Sequence, residues 1–203
     1  MNTIVQNIWG GLAGGSWLDQ LNLALGIAGV ALMIRRSVWT FPVSLVAVTV
    51  QGVLFFRAKF FADTALQIFF FVALAWGWWH WSRPRDAAPE LPITVMTWRS
   101  RLVTVALATA ATAAWALTVG RWTSSPQPWR DAFIAAFQVA AQIAQARKQL
   151  ENWPLWILAN GVAVVAYWRA DLAYTAFLFG VYLVLAVVGW REWARAMRGA
   201  ATP

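Results

Sequence analysis

Laid on itself with an offset of 112 residues, the chain matches its own second half without a gap. Residues 19–81 fall on residues 131–193. The register pairs Asp19 with Asp131, Arg35 with Arg147, Pro42 with Pro154, Arg57 with Arg169, Gly77 with Gly189, Trp78 with Trp190 and Trp81 with Trp193. Chance agreement between two apolar stretches falls on Ala, Leu and Val. It does not place Asp, Arg, Pro and Gly-Trp-x-x-Trp in one register. The fold must accommodate a duplicated unit around a linking segment. In a membrane protein, internal repeats point to a transporter with its site at the repeat interface.

The membrane reading comes from composition. Hydrophobic residues make up 61% of the chain and charged residues 12%, against about 25% charged in a soluble domain. Apolar runs bounded by charge and turn markers predict seven spans: Leu18–Ile34, Trp39–Phe56, Ala62–Trp81, Leu102–Val119, Asp131–Ala146, Trp153–Tyr167 and Leu172–Trp190. Most approach the length needed to cross a hydrocarbon core of about 30 Å. The fifth and sixth are short and relatively polar. Runs of Leu, Ala and Val without period-two alternation satisfy their backbone as helices, so the expected class is an all-α integral membrane protein.

Loop charges orient it. Arg57, Lys59, Arg121, Arg130 and Arg169 lie on one side, and the other eleven of the sixteen Lys and Arg lie on the opposite side. The more basic side is cytoplasmic by the positive-inside rule, which puts the N-terminus outside and the C-terminus inside. The formal charge of +8 is therefore explained by orientation, and no nucleic-acid partner is expected. The first span corresponds to the fifth, four crossings later, so the repeats run parallel in a 3+1+3 arrangement. Residues 18–81 form the first three-helix repeat, 82–130 a cytoplasmic loop plus a linking helix, and 131–193 the second repeat.

Few groups suit bond-making chemistry. His80 is the one histidine and cysteine is absent. A haem or metal site needs more ligands than this, so no catalytic residue, metal or cofactor is expected. Asp19, Asp63, Asp131 and Asp171 fall near span ends, and Asp19 and Asp131 read as helix N-caps. No mid-span ionisable residue is visible, which argues for passive transport rather than ion coupling.

Tryptophan is the strong signal, with 16 in the chain. Trp78, Trp79, Trp81, Trp190 and Trp193 lie at span ends, where the aromatic belt accounts for them. Trp153, Trp156 and Asn160 differ, because their i, i+3, i+7 spacing puts them on one helical face. Two rings and an amide in one stripe either stack on and read the edge of a flat heteroaromatic ligand, or combine belt and helix–helix hydrogen bonding. Gln51, Gln67, Gln138, Gln142 and Gln145 lie in or near apolar spans. A buried amide needs a partner in lipid, so these either pair across helices or line a polar path. Gly26, Gly29, Gly52, Gly161, Pro42 and Pro154 are candidate close-packing or hinge positions.

Two stretches carry a family resemblance. One is Phe61-Ala-Asp-Thr-Ala-Leu-Gln67 followed by Gly77-Trp-Trp-His-Trp81. The other is Arg147-Lys148, then Glu151-Asn-Trp-Pro-Leu-Trp156 and Asn160. Both are similar to patterns of the Pnu family of bacterial vitamin transporters, and the likeness runs from about Leu18 to Trp193. The resemblance implies a full-length, SWEET-like architecture, a homotrimer in the bacterial inner membrane, and facilitated diffusion with trapping by cytosolic phosphorylation. It implies ligand contacts at Trp153, Trp156, Asn160 and Gln67. The repeat adds Phe41 and Ser44, the mates of Trp153 and Trp156. Gln138 and Gln142, with Gln51, complete the candidate set. Nicotinamide riboside is the first expected substrate. Gln138 and Gln51 depart from the pattern of its carriers, which keeps thiamine, then riboflavin, as alternatives. A non-transporting membrane subunit is the alternative of another class.

Overall fold

The computed structural model describes residues 2–14, 16–83, 91–122 and 127–199. Eight helices are found among them: α1 Asn2–Gly14, α2 Trp17–Ile34, α3 Thr40–Arg57, α4 Phe61–Ser82, α5 Trp98–Trp122, α6 Pro128–Ala146, α7 Asn152–Arg169 and α8 Ala173–Gly199. The seven expected helices correspond to α2–α8. The eighth, α1, was not expected. Its 13 residues reach about 20 Å, short of a hydrocarbon core of about 30 Å. Five helices, α2, α3, α4, α5 and α8, are long and apolar enough to cross a membrane. Helices α6 and α7 are less apolar and are not among them.

The chain divides into two compact units. The first comprises Met1–Pro92 and Val188–Pro203. Within it α2 packs on α3 and α3 on α4. Its centre is aromatic: Phe41 meets the edge of Trp81 at 5.1 Å between ring centroids, and Trp81 lies 6.0 Å from Trp193. The Trp193 indole donates to the Met33 carbonyl at 3.1 Å. Trp81 and Trp193 are 5% and 0% exposed, so these two belong to the core rather than to an aromatic belt. Trp78, Trp79 and Trp190 are exposed.

Asp19 proves not to be an N-cap. Ser16 caps α2, and Asp19 at the third helical position accepts from the Ser16 amide at 2.8 Å and its hydroxyl at 2.7 Å, closing a capping box. Gly29 permits a close approach, because a Cβ there would lie 2.5 Å from Ser44 Oγ. A Cβ added at Gly161 would meet nothing within 4 Å, so no close approach requires glycine there.

The second unit, Ile93–Val187, packs α5 on α6 and α6 on α7. Met96, Ala108, Phe137, Ala141, Ala144, Leu155 and Ala159 form its core, with Trp156 packed against them. Alanine on facing helices lets the backbones approach, as expected where no aqueous driving force operates between helices. Asp131 is likewise not an N-cap. Pro128 starts α6, and Asp131 pairs with Arg130 at 2.8 Å.

The expected loop between the third and fourth spans is in part bonded to the α6–α7 turn. Residues 84–90 lie outside the described ones. Ile93–Thr97 forms a strap along the α6–α7 turn, and Trp98–Arg101 already belongs to α5. Thr94 makes an isolated parallel bridge with Gln149: its amide donates to the Lys148 carbonyl at 3.0 Å, and its carbonyl accepts from Leu150 at 2.9 Å.

The α2–α3 and α6–α7 turns have the same backbone. Arg36 and Lys148 both take the left-handed conformation, at φ 58° and 55°. Ser37 donates to Leu32 at 3.0 Å, as Gln149 does to Ala144. Phe41 donates to Val38 and Trp153 to Leu150. The α3–α4 and α7–α8 turns agree in the same way, with Lys59 at φ 63° and Asp171 at 58°. Each pair is 112 positions apart. Pro42 and Pro154 sit in the first turns of α3 and α7, where an amide has no intrahelical partner to lose. They begin helices rather than hinge them.

Candidate functional site

The α6–α7 hairpin gathers five of the expected residues. Trp153 and Asn160 on α7 are 2% and 4% exposed, and Gln142 on α6 is 5% exposed. Trp156 and Gln138 are half-buried. The two faces meet where the Trp156 indole donates to Gln145 Oε1 at 3.0 Å. One turn further from the loop lie Gln142 on α6 and Asn160 on α7, since i−3 and i+4 steps on antiparallel neighbours advance together. The Gln142 side-chain nitrogen is buried and has no hydrogen-bond partner among the described residues. An unpartnered amide in such surroundings costs several kcal/mol.

Glu151, in the turn before α7, was expected only as part of the family motif. Its Oε1 accepts from Arg101 Nε at 2.9 Å and Nη2 at 2.6 Å, and its Oε2 accepts from the Met96 amide at 3.0 Å. The signal in sequence was the acidic residue beside Asn152-Trp153. Its partners lie about fifty residues earlier and could not be read from spacing. Asn152, 0% exposed, donates to the Gln149 carbonyl at 2.6 Å and closes the same turn.

In the first unit the expected residues have other neighbours. Phe41 is fully buried against Trp81. Ser44 fits against Gly29. Gln51 accepts from the Asn22 amide, which is the pairing across helices that was the alternative to a polar path. Gln67 is half-buried and packs on Gly52, where an added Cβ would lie 3.4 Å from Gln67 Cβ. His80 stacks on Trp76 at 5.1 Å and 5° between planes. Among the described residues no group of three or more His, Cys, Asp or Glu could hold a metal ion.

Long apolar helices with few charges within them define a multi-pass α-helical membrane protein. The family model described as "Nicotinamide mononucleotide transporter" matches residues 16–195. The chain belongs to that family.

Similar proteins extend the comparison. The riboflavin/roseoflavin transporter RibM of Streptomyces davaonensis is 32% identical over 183 residues, covering 87% of this chain and 84% of that one. The nicotinamide riboside transporter PnuC of Escherichia coli is 26% identical over 208 residues, covering 90% and 87%. The crystal structure of the vitamin B3 transporter PnuC superposes with a TM-score of 0.74 at 18% identity, covering 96% of this chain and 87% of that one. It shows a shared fold. These relatives are transporters, not enzymes.

Proposed function

We propose that the chain is a facilitated-diffusion carrier for a flat heteroaromatic vitamin bearing a ribose or ribityl chain. It places riboflavin first, with nicotinamide riboside as the second reading. The observation that carries it is the buried amide of Gln142, which lacks a protein partner. It lies one turn from the Trp156–Gln145 pair and level with Asn160. A ligand carbonyl satisfies such a donor, and the half-buried ring of Trp156 offers a stacking face. The isoalloxazine ring has more carbonyl and imide edges than nicotinamide, which suits a hairpin with Gln138, Gln142 and Asn160. The greater identity to RibM than to PnuC supports the same order. Nicotinamide riboside keeps support from the retained tryptophan–asparagine stripe. Phe41, Ser44 and Gln51 are read as packing residues.

The reading includes seven membrane crossings in a parallel 3+1+3 duplication. Four turns with matching backbone at the 112-residue offset support that duplication. It also includes an inner-membrane location with the N-terminus outside, supported by the loop charges. A homotrimer and trapping by cytosolic phosphorylation rest on the family resemblance.

The test is a titration of purified protein with riboflavin, nicotinamide riboside and thiamine, read by tryptophan fluorescence, with Gln142→Leu alongside. Quenching by riboflavin at micromolar concentration, weakened in the variant, is the expected outcome. Preferential binding of nicotinamide riboside reverses the order. Binding of none removes the carrier reading. Uptake into vesicles that collapses with an uncoupler removes its passive part.

A further inference from the structure

We infer that Glu151 is a positioning residue. Through Arg101 and the Met96 amide, it holds the strap Ile93–Thr97 on the α6–α7 turn and so fixes the orientation of Trp153, Trp156 and Asn160. The inference rests on the reading of that stripe as the ligand surface.

The geometry separates this role from that of building the turn. The α2–α3 turn makes the same backbone hydrogen bonds, yet it has Trp39 where the α6–α7 turn has Glu151, and Trp39 is 72% exposed. The turn therefore closes without a carboxylate. What Glu151 adds is a bond to other parts of the chain. Its side chain is 15% exposed against 43% for Arg101. Both carboxylate oxygens are engaged, one by a guanidinium edge and one by a backbone amide. Charge-assisted, two-nitrogen contact of this kind fixes direction as well as distance.

The strap also reaches the stripe through packing. Met96 is buried in the α5–α6–α7 core, 8% exposed, and Trp156 packs against that same cluster. Thr94 bonds to the carbonyl of Lys148 and the amide of Leu150, immediately before Glu151. Asn152 and Trp153 follow it directly. The ion pair thus holds the first turn of α7 from the polar side, while Met96 joins the apolar cluster on which Trp156 packs. A displacement of either shifts ring faces that a planar ligand must meet in register, and small errors of orientation weaken binding.

The experiment uses the full chain in detergent, labelled with fluorotryptophan. Trp156→Phe assigns the Trp156 fluorine resonance. Riboflavin and nicotinamide riboside are titrated against the unaltered chain, Glu151→Gln, and the exchanged pair Arg101→Glu with Glu151→Arg. The expected result is a displaced Trp156 resonance and about tenfold weaker binding in Glu151→Gln, with unchanged thermal unfolding. The exchanged pair re-forms the ion pair but offers the Met96 amide no acceptor, so it restores both only in part. A Trp156 resonance and affinity unmoved by Glu151→Gln overturn the inference. If Glu151→Gln does not fold, Arg101→Gln takes its place with the same two outcomes. If the unaltered chain binds neither vitamin, the carrier reading fails, and the Trp156 resonance still decides the role of Glu151.

Discussion

The Trp156 indole nitrogen lies 3.0 Å from Gln145 Oε1, and this one bond joins α6 to α7 at the level where the candidate ligand surface begins. Replacing Gln145 by Leu leaves a half-buried N–H without its acceptor, at a cost of about 1–3 kcal/mol. Replacing both partners, as Gln145→Leu with Trp156→Phe, removes donor and acceptor together and recovers most of that stability. Ligand affinity stays low in both, because the ring that stacks has moved or shrunk. Thermal unfolding and fluorescence titration of the single and double variants check this.

Close packing in the first unit makes a second prediction. A Cβ at position 29 would sit 2.5 Å from Ser44 Oγ and 3.7 Å from Ser44 Cβ. Gly29→Ala is therefore expected to destabilise by about 1–3 kcal/mol through overpacking. Adding Ser44→Ala removes the clashing oxygen and leaves ordinary contact, so the double variant recovers. Gly161→Ala, facing open space, keeps or raises stability, since Ala is the better helix former by about 1 kcal/mol. Unfolding midpoints of the three variants decide the point.

Trp193 and Trp190 look alike in sequence and differ in place. Trp193 is 0% exposed, stands beside Trp81 and donates to the Met33 carbonyl. Trp193→Ala is expected to cost about 3–5 kcal/mol and to cut the yield of folded protein. Trp190, 45% exposed, tolerates the same change within about 0.5 kcal/mol. Monodispersity after extraction, followed by thermal unfolding, distinguishes them.

That pair also marks how far the sequence could be read. The positions of α2–α8 were legible because each apolar run ends at an arginine, a proline or a turn. The turns were legible as a repeat because Arg35 with Arg147 and Pro42 with Pro154 keep one register. Helix α1 was not, since 13 residues with no basic flank resemble neither a span nor a loop. The strap was not, because a proline- and arginine-rich linker reads as solvent-exposed, while its bonds to Lys148, Leu150 and Glu151 exist only in three dimensions. Tryptophan at a span end has one signature for two fates, belt or core, and Trp81 and Trp193 took the second. At the candidate site, sequence spacing correctly put Trp153, Trp156 and Asn160 on one helix. It could not tell which glutamine would be paired, as Gln51 and Gln145 are, and which would be left with an unpartnered nitrogen, as Gln142 is.

Orientation in the membrane gives the last prediction. Eleven of the sixteen basic residues fall on the side assigned to the cytoplasm, and the bias of Lys and Arg in short loops sets orientation. The chain has no cysteine, so single introduced cysteines report their own side without background. Ala58 and Gln127 are exposed at turns of the less basic side, and Arg191 is exposed on α8 towards the C-terminus. Ala58→Cys and Gln127→Cys are expected to react with an impermeant maleimide in intact cells. Arg191→Cys is expected to react only after permeabilisation. Labelling of Ala58→Cys but not Gln127→Cys from outside would mean that one of the helices between them, α4 to α5, does not cross. The duplication would then be antiparallel.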